Sequence, residues 1–181
     1  FRKYVGGARV LDVFSYVGAW GLGALKAGAT EVTCVDSSVS ALEQLQASAA
    51  ANGLKPALLK GDAFDVMESL HAEGRRFEVV VIDPPAFIKR KKDVPKGEAA
   101  YKRLNQLAMQ LLDRDGILVS CSCSYPLEPG HLLTAIQRGA RHLGRFAQVV
   151  EVGGQAPDHP IHPAIPETRY LKAFFCRVVT E

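Results

Sequence analysis

From residue 9 onward, short apolar runs rich in Val, Ile and Leu alternate with stretches of helical periodicity roughly 10–15 residues long. The runs predict seven strands, over residues 9–14, 31–36, 56–60, 77–82, 116–122, 146–152 and 169–178. Each opens near a Gly, a Pro or a charged residue that interrupts the preceding pattern. Helices are expected between them, most clearly over 38–51, 98–112 and 127–143. In the second of these, Leu104, Leu107, Ala108, Leu111 and Leu112 share one stripe. Strands that read as continuous apolar runs and are separated by helices belong to parallel sheets covered on both faces. The last two strands flank the segment APDHPIHPAIPET, too short and irregular for a crossover helix, so they are expected to pair antiparallel. The pattern therefore predicts an α/β fold with a seven-stranded, mostly parallel sheet and an antiparallel last strand.

The chain of 181 residues, 48% hydrophobic and 23% charged, suffices for one buried core and is too short for two ordinary domains, so residues 1–181 are read as one domain. It opens at Phe1 rather than at a methionine, as expected of a fragment of a longer protein. The start FRKYVGGARV lacks the layout of a signal peptide, and no apolar run reaches the roughly 18 residues of a membrane span. Cys34, Cys121, Cys123 and Cys176 form no C-x-x-C pair, which argues against structural zinc and disulfides and fits a reducing cytoplasm. A formal net charge of +3 permits a nucleic-acid partner without requiring one.

In doubly wound sheets, ligands bind at the carboxyl ends of the strands near the point where strand order reverses. The first strand runs into FSYVGAWGLG, which sets Gly18, Gly21 and Gly23 in a turn entering a helix. Asp36 ends the second strand, where a carboxylate can accept both ribose hydroxyls of a nucleoside. The third strand leads into Gly61 and Asp62, a second acid on the same rim, suited to an adenine amino group. Helix capping is the alternative role for either acid. Two acids ending successive units beside a glycine turn favour a bound nucleoside. The spacing G-x-x-G-x-G departs from the dinucleotide fingerprint G-x-G-x-x-G, which cradles a pyrophosphate.

The fourth strand ends in Asp83-Pro84-Pro85-Ala86-Phe87, an acid held by two rigid prolines and followed by an aromatic ring. An acid that bonds a base edge and a ring that stacks on it suit an enzyme acting on an extruded nucleobase, although a strand-ending turn with a core phenylalanine gives the same letters. The fifth strand ends in Ser120-Cys121-Ser122-Cys123-Ser124. Carbon 5 of a pyrimidine becomes nucleophilic once a thiolate has added to carbon 6. Cys123 lies nearer the strand end than Cys121 and is the better candidate. Cys34 and Cys176, mid-strand, read as core, as does Cys121.

The ordered set VLDVFSYVGAWG, VDSS, GDAF, DPPAF, SCS, Gln155 with APDHP, and RYLKAFFCRV resembles the bacterial 23S ribosomal RNA cytosine-5 methyltransferases that carry an N-terminal PUA domain. The resemblance covers nearly the whole chain. It implies the class I Rossmann-like fold of S-adenosylmethionine (SAM) dependent methyltransferases, SAM as cofactor and ribosomal RNA as partner. It further implies that Asp36 binds ribose, Asp62 adenine and Asp83 the cytosine edge around N3, and that Cys123 is the nucleophile. The cofactor side would comprise Phe14, Ser15, Tyr16 and Gly18 from the glycine turn, Ser37 and Ala63 beside the two acids, and Asp83. The substrate side would comprise Pro84, Pro85 and Phe87, Lys89 and Arg90 of a basic run that extends to Lys96, and Gln155, Asp158 and His159 of the proline-rich segment.

Two features depart from the wider cytosine-5 pattern. Ala86 stands where many of these enzymes carry a second cysteine that helps release product, a gap the PUA-type enzymes share, and it leaves the release base unassigned. The PUA domain itself is absent from this chain. Two other readings fit the same residues. One is a methyltransferase acting on an exocyclic amine, which needs no thiol. The other is a module of this fold that binds RNA or a partner without turnover.

Overall fold

In the computed structural model, which describes residues 1–88 and 90–180, both faces of the central strands are covered. In β4 (Phe77–Ile82), Val79 and Val81 face one apolar layer while Val80 and Ile82 face the other. Period-2 alternation of apolar side chains on both faces is what a parallel sheet between two helical layers demands. One layer holds α1 (Ala19–Lys26) and α2 (Val39–Ala51), the other α3 (Ala63–Ala72), α4 (Val94–Leu111) and α5 (Pro129–His142).

The remaining strands are β1 (Arg9–Val13), β2 (Glu31–Asp36), β3 (Ala57–Lys60), β5 (Leu112–Ser122), β6 (Arg145–Gly153) and β7 (Lys172–Thr180). The sheet order is β3-β2-β1-β4-β5-β7-β6. Strands β1 to β5 pair parallel, and β7 inserts antiparallel to both β5 and β6. Strand order reverses between β1 and β4, so the loops after β1, β2, β4 and β5 gather at one edge.

All seven expected strands are present; β2 and β4 have the expected bounds and the other five have shifted ends. Helix α4 begins at Val94 rather than 98, because Pro95 is tolerated in the first helical turn, where its missing N–H has no intrahelical partner. Gly97 stays inside that helix because a Cβ there would fall within the Ile88 side chain, which is fully buried against α4. Strand β7 starts at Lys172 rather than 169, since a 3-10 turn at Pro166–Thr168 precedes it and Tyr170 N–H bonds the Gln155 side chain. Arg9, at the opposite edge from the gathered loops, is clasped by Glu78 and bonds Asp113 at 2.9 Å, which ties β1, β4 and β5 together there. No helix among the described residues is long and apolar enough to cross a membrane.

Candidate active site

The loop after β1 is bent sharply. Phe14 (φ 64°) and Tyr16 (φ 48°) both adopt left-handed backbone that non-glycine residues avoid, and Gly18 (φ 87°) completes the turn into α1. Such strain persists only where the surroundings over-determine it, and it concentrates at functional sites. Here Asp36 supplies the determination. Its Oδ2 accepts the Tyr16 N–H and its Oδ1 accepts the Ser38 N–H, each at 2.8 Å. Ser15 N–H bonds the Val35 carbonyl at 3.0 Å, while its buried hydroxyl has no partner among the described residues. Each glycine has its own reason. A Cβ on Gly18 would stand 2.6 Å from Leu45 Cγ, one on Gly21 would collide with Cys34, and one on Gly23 would meet nothing. Gly21 thus serves helix-to-sheet packing.

Asp62 caps α3: its Oδ1 accepts the Phe64 N–H at 2.9 Å and the Asp65 N–H at 3.4 Å. The capping role is therefore real, and it leaves Oδ2 outside these bonds. Ser37 is exposed beside Asp36, and Ala63 is buried under the start of α3.

Asp12, inside β1, is the residue that the sequence pattern did not single out. Its side chain is fully buried, Oδ2 accepts the Gly21 N–H at 2.8 Å, and Oδ1 has no partner among the described residues. Burial pushes its carboxyl up to about 7, opposed by the Gly21 amide and reinforced by Asp83 and Asp36. The available signal was a carboxylate in an otherwise apolar strand, VLDV. Asp83 and Asp36 thus both act on Asp12 at one edge of the sheet. That electrostatic setting suits a nucleoside that carries positive charge and opposes a pyrophosphate.

Asp83 follows β4. Its Oδ2 accepts the indole N–H of Trp20 at 3.0 Å, and burial raises its carboxyl, with the Trp20 bond acting against the rise. Trp20 is half-buried, edge-on to Phe1 and bonded to Asp83. Pro84 is buried and Pro85 exposed. Phe87 is half-buried, its ring centroid 5.1 Å from Tyr101 and 6.2 Å from Phe14, so the ring proposed for stacking is built into an aromatic row.

Cys123 is half-buried one residue beyond β5, its Sγ 3.8 Å from the Pro84 carbonyl. Its thiol is pushed up by burial and then by Asp83, and pulled down by its own backbone N–H and by Lys172. Cys34, Cys121 and Cys176 are buried, as expected of core cysteines. Behind Cys123, the Tyr101 hydroxyl bonds Ser122 Oγ at 2.8 Å and Ser124 Oγ at 3.2 Å, and Ser124 Oγ accepts the Ile88 N–H at 3.2 Å. This network fastens the Asp-Pro-Pro turn to the end of β5.

A groove of about 930 Å³ opens beside this edge, lined by Tyr125, Glu128, Gln155, Ile161, Arg169 and Lys172 among others. Gln155 lies in its wall and closes the proline-rich loop, donating to the His159 carbonyl at 2.9 Å and accepting from Tyr170 N–H at 3.1 Å. Asp158 and His159 contact each other at 3.2 Å, but both are exposed and outside that lining. Arg90 is exposed, and Lys89 lies outside the described residues. Among the described residues no cluster of His, Cys, Asp and Glu is arranged to hold a metal ion.

Comparison with known proteins agrees with this architecture. A family model described as "Conserved hypothetical protein 95" matches residues 1–121. Ribosomal RNA large subunit methyltransferase I of Photobacterium profundum is 40% identical over 179 residues, covering 97% of this chain and 45% of that protein. The protein of the same name from Klebsiella pneumoniae is 38% identical over 181 residues, covering 98% of this chain and 45% of its own length. The chain thus spans about half the length of the curated relatives it matches. The crystal structure of SMU.776 complexed with SAH superposes with a TM-score of 0.81 at 21% identity, over 96% of this chain and 46% of that one.

Proposed function

Because the chain belongs to the Conserved hypothetical protein 95 family, and the curated relatives described above are named ribosomal RNA methyltransferases, we propose that it is the SAM-dependent methyltransferase domain of a ribosomal RNA modifying enzyme. The methyl acceptor in this reading is carbon 5 of a cytosine. One observation carries that choice: a half-buried thiol, Cys123, stands at the strand edge beside Asp83, next to the acidic rim formed with Asp12 and Asp36.

The rim residues fit the cofactor. Asp36 spends one bond per oxygen on backbone amides, and a carboxylate oxygen accepts more than one, so lone pairs remain for ribose hydroxyls. Asp62 keeps Oδ2 for the adenine amino group. The orphaned atoms Asp12 Oδ1 and Ser15 Oγ are the polar atoms a bound cationic nucleoside would satisfy. Phe14, Tyr16 and Gly18 shape the turn around it. SAM, when bound, supplies an electrophilic methyl group.

The chain's own residues handle the pyrimidine. The Cys123 thiolate forms a bond to carbon 6, and the ring electrons move to carbon 5, which takes the methyl group. Asp83, its carboxyl raised by burial, holds the N3 edge. Loss of the carbon-5 proton then expels Cys123 and restores the aromatic ring. Gln155, Pro84, Pro85 and Phe87 border the base, while Arg90 supplies a phosphate contact and Asp158 and His159 cover the substrate side from the proline-rich loop. A second reading, methylation of an exocyclic amine, is favoured by the Asp83-Pro84-Pro85 turn and uses no thiol.

The test is incubation with isotopically labelled SAM and unmodified ribosomal RNA, followed by digestion and mass spectrometry of nucleosides. Labelled 5-methylcytidine is the expected product. A labelled amine-methylated nucleoside would replace this reading with the second one.

A further inference from the structure

The steps above leave unused a cation that the last strand carries to the thiol. Lys172 opens β7 and pairs with Ser122 across the β5–β7 ladder. Its side chain runs along the end of β5, and Nζ donates to the Ser124 carbonyl at 2.6 Å and the Leu127 carbonyl at 2.9 Å. Cys123 lies between the residue that Lys172 pairs with and the residue that it binds. The two bonds go to neutral carbonyls, so the positive charge is not consumed by a carboxylate.

A lysine needed only to tie β7 to the loop after β5 would be an expensive choice. Partial burial disfavours its charge, and burial lowers its proton affinity, while Cys123 and Glu128 act to keep the proton on. The thiol has the opposite need. Nucleophilic attack requires the thiolate, whereas burial and Asp83 both favour the neutral thiol. The charged groups acting on Cys123 are Asp83 after β4 and Lys172 from β7, while Cys123 in turn acts on Tyr101 of α4 and Cys121 of β5. Among these described groups, Lys172 alone carries positive charge.

We propose that Lys172 is a positioning residue for the nucleophile: its ammonium, pinned by the Ser124 and Leu127 carbonyls, favours the Cys123 thiolate and so opposes part of what burial and Asp83 do. The proposal rests on the reading of Cys123 as the nucleophile. It also gives the YLK segment at the head of β7 a chemical task alongside its structural one.

Alkylation tests this without SAM or RNA. Iodoacetamide forms a sulfur–carbon bond with a thiolate and releases iodide, so its rate against pH reports thiolate fraction. Peptide mass spectrometry assigns the modified residue, and the other three cysteines are 1% exposed or less. In Lys172→Gln the Cys123 midpoint should rise, with alkylation several-fold slower at neutral pH. Lys172→Arg should stay near the unsubstituted protein. Should Lys172→Gln fail to fold, Lys172→Met, which keeps the apolar stem, takes its place with the same expected shift.

A midpoint unchanged on loss of the charge, or one moved equally by Lys172→Arg, would overturn the proposal and leave Lys172 as a tie. Because the readout needs no methyl transfer, an unchanged midpoint leaves the methyltransferase reading intact. A shifted midpoint in a protein that makes no 5-methylcytidine overturns that reading alone.

Discussion

The indole N–H of Trp20 and Oδ2 of Asp83, 63 positions apart in sequence, meet at 3.0 Å and join the first helix after the glycine turn to the acid after β4. Whatever orders the glycine turn therefore bears on the acid proposed to hold the base.

Replacing Trp20 by Phe keeps an aromatic ring against Phe1 but strands a largely buried carboxylate without its donor. Removing the partner of a buried polar group costs about 1–3 kcal/mol. Urea unfolding at neutral pH should show a loss of that order, accompanied by slower methyl transfer. An unfolding curve and rate equal to those of the unsubstituted protein would count against the bond.

Cys123→Ala should abolish methyl transfer while SAM affinity stays within about twofold, since among the described residues the thiol bonds only the Pro84 carbonyl, weakly, and no part of the nucleoside rim. Titration calorimetry and the labelled-SAM assay separate the two effects. Turnover retained in this variant would remove the covalent scheme.

Asp36→Ala removes the acceptor for both Tyr16 and Ser38 amides and so releases the strained turn at Phe14 and Tyr16. SAM binding should weaken by at least about tenfold, roughly 1.4 kcal/mol, with contacts to ribose lost as well. Calorimetry giving an unchanged Kd would show that the turn holds without this carboxylate.

Asp12 provides a pH test with a fixed sign. Its carboxyl is raised to about 7 in the folded chain from an ordinary value of 3.8, so the folded state binds the proton more tightly than the unfolded one. The stabilisation from that proton is complete below the unfolded value and is lost as pH rises through the folded one. Relative to Asp12→Asn, which cannot titrate, the unsubstituted protein should lose on the order of 4 kcal/mol between pH 4 and 8. Paired urea titrations across that range give the difference, and parallel curves would rule the shift out. A bound cationic ligand should reduce the loss by favouring the ionised form.

Much of the architecture was legible before any coordinates. Strands 31–36 and 77–82 coincide with β2 and β4, because a strand buried on both faces reads as a near-continuous run of apolar and β-branched residues, here VTCV and VVVI. The rim acids were also legible: Asp36, Asp62 and Asp83 each follow or end a run, and a parallel sheet brings such positions to one edge. Element ends were less so. Where β7 begins depends on Gln155 accepting the Tyr170 N–H, a contact set by the fold of the proline-rich loop.

The sequence by itself determined the alternation of strands and helices, the edge where the chemistry gathers, and Cys123 as the outermost thiol, since these follow from local periodicity and chain direction. Tertiary structure alone decided which side chains face that thiol and those acids. Trp20 reaches Asp83, and Lys172 reaches the backbone beside Cys123, only because β4 lies next to β1 and β7 inserts antiparallel beside β5. Strand order and the burial that shifts the Asp12 carboxyl arise from the packing of distant segments, and no local pattern along the chain encodes them.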